Sequence, residues 1–113
     1  MDRELLELAA KAAKYDVYWG HRSHQLVWNG KDGGHEYPEP VFWNPLTDDG
    51  DALRLAVKLN IDLRFYPDSE ITEPWVETAA DGGNADEALS PDPYAATRRA
   101  IVRAAADIGR TMP

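Results

Sequence analysis

The amino-acid sequence predicts an α+β fold. Three helices pack on a short, mainly antiparallel sheet, in the order α-β-β-(β)-α-β-β-α. Three observations lead there. Apolar residues recur at helical spacing near both ends of the chain and in its middle. Between those stretches the period drops to two, in short runs of β-branched and aromatic residues. The 113 residues are 43% apolar, with four Trp, five Tyr and two Phe, which suits one core and one domain over 1–113.

The first helix is expected at residues 2–14. Leu5, Leu8, Ala9 and Ala12 fall on one side, and Arg3, Glu7, Lys11 and Lys14 on the other. Asp2 and Glu4 lie in the first turn, where the helix dipole favours negative charge. Val17-Tyr18-Trp19 and Gln25-Leu26-Val27-Trp28 then read as a hairpin linked through Gly20 to His24. Residues 29–40 are rich in Gly, Pro and charge, and are expected to form a mobile loop. Val41-Phe42-Trp43 returns to extended structure.

The central helix should start near Asp48 or Asp49, with Asp48 as its N-cap, and stop at Asn60. Leu53, Leu55, Ala56, Val57 and Leu59 cover about 200° of its surface, so it is expected to pack on more than one side. Ile61 to Tyr66 alternates as a strand, with Ile61, Leu63 and Phe65 inward and Asp62 and Arg64 outward. Pro67 ends it. Trp75 to Ala79 reads as another strand. Residues 80–91 are small, polar and acidic, and are expected to be a mobile loop. Ser90-Pro91-Asp92-Pro93 opens the last helix, with a capping residue followed by proline. Its expected buried stripe is Tyr94, Thr97, Ile101, Ala104, Ala105 and Ile108. The many alanines suggest close approach to another element. Trp43, Pro45, Asp48, Leu55, Leu59, Ile101 and Ile108 are the residues expected to carry structure.

The formal net charge is −8, spread unevenly. Residues 68–92 hold eight acids and no Lys or Arg, whereas residues 94–113 hold four Arg against Asp107 alone. An acidic surface repels phosphate backbones, so direct nucleic-acid binding is disfavoured and a protein partner is expected. The opposed charges would also favour self-association into a homodimer. No apolar run approaches the roughly 20 residues of a membrane span, and the N-terminus lacks the pattern of a secretory signal. No membrane association and a cytoplasmic location are the expectations. The chain has no Cys, which removes thiol chemistry.

One block stands out: Trp43-Asn44-Pro45-Leu46, then Asp48-Asp49-Gly50-Asp51, then an Ala/Leu-rich helix from Ala52 to Leu59. It resembles a group of small phage and prophage proteins of unknown function described as αβα-sandwich domains. The C-terminal Asp92-Pro93-Tyr94-Ala95-Ala96-Thr97-Arg98-Arg99 and the opening Leu5-Leu6-Glu7-Leu8 resemble that group too. The resemblance implies an αβα sandwich and a phage origin, with the host cytoplasm as location. It implies no activity.

Candidate chemistry is sparse. His21, His24 and His35, with Glu36 beside the last, are weak metal-ligand candidates, because their spacing matches no familiar site. Asp81 to Glu87 is rich in oxygen but lacks the EF-hand pattern. There is no nucleophile elbow, phosphate-binding loop or dinucleotide fingerprint. The expectation is therefore a non-enzymatic protein with no catalytic residues and no cofactor. It would bind a host or phage protein through an acidic surface, inhibiting a host process or defence system. The candidate contact residues are Trp19, Trp28, Glu70, Glu73, Asp86, Glu87, Arg99, Arg103 and Arg110. Arg99, Arg103 and Arg110 fall within about 40° of one another on a helical wheel. Two alternatives stay open: carboxylates imitating nucleic acid to inhibit a DNA- or RNA-binding enzyme, and a metal-binding module or minor enzyme using His21, His24 and His35.

Overall fold

Helix α1 spans Asp2–Ala13 and buries Leu6, Ala9, Ala10, Ala12 and Ala13. Leu5 and Leu8, expected at the centre of the stripe, are half-buried at its margin. Lys14 adopts a left-handed conformation, φ 59°, and the Tyr15 N–H donates to the Ala10 carbonyl at 2.9 Å. That six-to-one bond closes the helix as in a Schellman motif. The computed structural model describes residues 2–29, 40–68, 70 and 73–113.

Strands β1 (Val17–Gly20), β2 (Gln25–Trp28) and β3 (Phe42–Trp43) form one antiparallel sheet in that order. Leu26 stands opposite Trp43, and both are buried. The Tyr15 ring meets Trp28 at 4.9 Å and Trp43 edge-on at 5.6 Å, tying this sheet to the end of α1. Of the expected mobile loop at 29–40, residues 30–39 lie outside the described residues.

Helix α2 is Asp49–Leu59, with N-cap Asp48 accepting from the Asp51 N–H at 2.8 Å. At its far end Asn60, φ 56°, donates its N–H to the Val57 carbonyl, and the Ile61 N–H reaches Ala56 at 2.9 Å. Strands β4 (Asp62–Tyr66), β5 (Trp75–Ala80) and β6 (Gly83–Ala88) build a second antiparallel sheet in that order. Helix α3 runs Pro93–Thr111, capped by the Asp92 side chain, which accepts from Tyr94 N–H at 3.0 Å and Ala95 N–H at 3.2 Å.

The α+β class holds, with three helices and one continuous core that draws on α1, α2, α3, Leu26, Trp43 and Ala85. The strands form two three-stranded sheets instead of one. The division falls at α2, which separates β3 from β4. The most extensive packing among the described elements joins α1 to α3, and α3 also lies along β6. A Cβ on Gly109 would overlap the Leu8 carbonyl oxygen, and one on Gly83 would overlap the Ala104 carbonyl oxygen. The alanine-rich stretch marks this close approach, as the sequence suggested.

Four expectations are corrected. Residues 80–91 are not a loop throughout, because 83–88 form β6. Asp81-Gly82 is a two-residue hairpin loop with Gly82 at φ 90°, and Asp-Gly is a strong hairpin signal that the acidic composition hid. The buried Thr78 hydroxyl then donates to the Ala85 carbonyl at 3.0 Å and accepts from the Ala85 N–H at 2.7 Å. Second, α2 is not packed on more than one side: Leu53 and Val57 are 62% and 73% exposed. Third, Phe65 shares a sheet face with half-buried Leu63 but is 57% exposed, because no helix extends over it. Fourth, Tyr94 leaves the expected stripe and is 70% exposed, since it lies in the first turn of α3, beyond the reach of α1.

Candidate functional site

The Trp43–Asp51 block is the joint of the fold. Trp43 and Pro45 are fully buried. The Asn44 N–H donates to Asp51 Oδ2 at 3.0 Å, and Asn44 Oδ1 accepts from the Leu46 N–H at 3.0 Å. The nearly buried Asp51 carboxylate also accepts from Arg54 Nη2 at 2.9 Å. Arg98 reaches across from α3, donating Nε to the Leu46 carbonyl at 2.8 Å and Nη1 to Asp49 at 2.6 Å. Every polar group of the block that is named here has a partner within it or on α3. The residues that stand out in the sequence therefore hold α2 to α3 and to β3, and offer no free chemistry.

Above that joint lies an apolar cleft of about 440 Å³ between α2, β4 and the start of α3. Ala52, Leu63 and Ile101 contribute its more buried wall. Leu53, Phe65 and Tyr94 also line it, and all three are mostly exposed. Its charged wall residues, Asp49 and Arg98, are already paired with each other. Val57, one turn beyond Leu53 on α2, extends the exposed apolar surface. Soluble proteins seldom leave a contiguous apolar patch bare without a use for it.

The residues singled out by sequence are dispersed. Trp28 packs on Tyr15, and Trp19 lies beneath the Arg3 guanidinium at 4.5 Å with His24 edge-on to its ring. Both tryptophans are half-buried. Glu87 receives Arg99 Nε at 2.8 Å and also Arg103, whose Nη1 donates to the Asp86 carbonyl as well. Arg110 pairs with Asp107 of its own helix at 2.6 Å. Of the acids, Glu70 and Glu73 are exposed in the β4–β5 connection. Asp86 stands opposite Glu77 on the sheet, and its neighbour Glu87 therefore points to the other face. The eight acids of 68–92 thus do not share one surface. His21 and His24 are exposed in the β1–β2 turn, and His35 lies outside the described residues. Among the described residues no three His, Asp or Glu side chains gather as metal ligands do. Leu55 and Ile101 are buried, Asp48 caps α2, and Leu59 and Ile108 are half-buried.

Sequence reasoning missed Leu53, Phe65 and Tyr94 as surface residues. Hydrophobic periodicity marks an apolar face, and it assigns that face to the core whether or not anything covers it.

The ionisation of Glu87 is shifted. Burial pulls its carboxyl up, but hydrogen bonds from Arg99 and Arg103, together with their charges, outweigh burial and hold it below its ordinary value of 4.5. A carboxyl depressed in the folded state adds stability that is complete above its unfolded pKa and is lost as pH falls through the folded one. Between pH 7 and pH 3, the wild type should therefore lose more of its urea midpoint than Glu87→Gln does. Equal losses would show that the arginine pair contributes nothing to acid sensitivity.

Comparison of the chain with protein-family models, curated proteins and solved structures finds no match. Among the described residues no helix is long and apolar enough to cross a membrane.

Proposed function

We propose that this chain is a non-enzymatic binding protein whose partner protein docks on the cleft between α2, β4 and α3. One observation carries the reading: Leu53, Phe65 and Tyr94 line one depression and are each more than half exposed. Interfaces are built around aromatic and aliphatic anchors of this kind, with charged groups at the rim. The two charged groups in the wall neutralise each other, so the cleft supplies mainly apolar area, with the Tyr94 and Thr97 hydroxyls as its other polar side-chain groups.

The partner's chemistry follows from the surroundings. The chain carries −8, and Asp68, Glu73 and Asp92 adjoin the segments that frame the cleft. None of the three forms a salt bridge among the described residues. The favoured occupant is a segment of another protein with apolar side chains flanked by Lys or Arg. A second copy of this chain would bring a further −8 to the same surface. The resemblance of the Trp43 block and of α3 to phage and prophage proteins supports an accessory role in a phage, with a host protein as the partner and inhibition of a host process as the outcome.

Tagged wild type and Leu53→Asp are to be compared in capture from host lysate, followed by titration of the purified partner. Leu53 is exposed, so the aspartate variant should keep its fold by circular dichroism while affinity falls at least tenfold. A partner held equally well by both proteins would remove the cleft from the interface. Salt bears on the imitation alternative: a nucleic-acid mimic would lose its partner steeply between low and physiological salt, whereas an apolar anchor would hold it.

A further inference from the structure

The second sheet ends one strand short of the helices beneath it. β6 and then β5 lie along α3, while β4 approaches neither α3 nor α2 as closely. α2 packs on α3, and its Leu53 and Val57 are largely exposed. Among the described residues β4 is an edge strand, paired with β5 alone. Along its other edge, among the described residues, no backbone group of 62–66 bonds to another part of the chain. A free edge is a template for pairing, and proteins normally blunt or cover it. Here the edge borders the apolar cleft.

We infer that the partner segment binds as an extended strand added to β4, making the second sheet four-stranded and covering Leu53, Val57 and Phe65. This rests on the proposed docking at the cleft and adds the form of the occupant. Main-chain hydrogen bonds to β4 would supply register, and side chains at alternate positions would enter the cleft. Phe65 and Leu63 fix which face is apolar, because they share it at a spacing of two. A helix laid in the same place would leave the outward N–H and C=O groups of β4 unpaired beneath it, and each buried group without a partner opposes binding. The segment's remaining residues would face solvent, with Lys or Arg placed to meet Asp68, Glu73 and Asp92.

The test is a random dodecapeptide display library selected on the wild-type protein and counter-selected on Leu53→Asp, with Tyr94→Ala as a second cleft variant. The expected consensus alternates apolar and basic or polar residues with period two. The consensus peptide, followed by fluorescence anisotropy, should lose at least tenfold in affinity when N-methylated at one set of alternate residues and little at the other set. A consensus with apolar residues three and four apart, losing affinity on N-methylation at neighbouring interior positions alike and not at alternate ones, would overturn strand addition and leave cleft docking intact. Peptides selected without the counter-selection that all bind wild type and both variants equally, or no selected peptide at all, would overturn both. A wild-type dimer in sedimentation that Leu53→Asp dissolves would assign the edge to a second copy and overturn the partner strand.

Discussion

Gly109→Ala is expected to destabilise the protein by about 3 kcal/mol, against the usual sign for this change in a helix. In an exposed helix interior, alanine is better than glycine by roughly 1 kcal/mol. At Gly109 the added Cβ would overlap the Leu8 carbonyl oxygen and sit 2.9 Å from the Leu8 carbonyl carbon. Both are backbone atoms of α1, so relief requires the two helices to separate. That separation would loosen the alanine-lined contact between α1 and α3, the most extensive among the described elements. Gly50→Ala in α2 is the control. Its nearest neighbours would be the Arg54 guanidinium and the Asp48 carboxylate that caps α2, at 3.1–3.2 Å, ends of side chains that need shift only a few tenths of an ångström while the backbone stays in place. Thermal unfolding should show Tm falling by roughly 10 °C or more for Gly109→Ala, and unchanged or higher for Gly50→Ala. A rise in Tm at Gly109 would mean that the helices do not meet there.

The second large effect is at Trp43. It is 1% exposed and is the largest fully buried side chain. Trp43→Ala should cost about 3–5 kcal/mol, a large share of the roughly 5–15 kcal/mol that holds a domain of this size together. The loss is more than area. Trp43 is the edge-on partner of Tyr15 and lies opposite Leu26, so the cavity would open where α1, the first sheet and the start of α2 converge. Trp19→Ala should cost much less, because that ring is half-buried and packs partly under a solvated guanidinium. Urea unfolding followed by far-UV circular dichroism measures both. Trp43→Phe should also remove the most blue-shifted part of the tryptophan emission. Equal losses at Trp19 and Trp43 would contradict the position of the core.

These effects bear on function by separation. Gly109 and Trp43 hold the scaffold, whereas Leu53, Phe65 and Tyr94 are exposed on it. Changes in the first group should act through folding, and changes at Leu53 and Tyr94 through binding with the fold kept. The two classes look alike in sequence, since every one of these residues belongs to an apolar or small-residue pattern.

The sequence alone determined the features set by neighbours along the chain. Asp48 and Asp92 cap their helices, Asn60 takes the left-handed position that ends α2, and the β1–β2 hairpin lies where the alternating runs place it. Each depends on a side chain and backbone groups a few residues away, so local chemistry decides it. Beyond the Asp81-Gly82 turn, tertiary structure decided β6. Gly83-Asn84-Ala85-Asp86-Glu87-Ala88 has little strand propensity, and is held by the Thr78 hydroxyl, by the approach of Gly83 to α3 and by Arg99 and Arg103 on Glu87. It also decided which apolar faces stay bare. Leu53, Phe65 and Tyr94 carry the same hydrophobic signal as Leu55 and Ile101. What separates them is that α3 lies against one side of α2 and, among the described residues, no strand pairs with the outer edge of β4, a fact about distant elements that no local pattern contains.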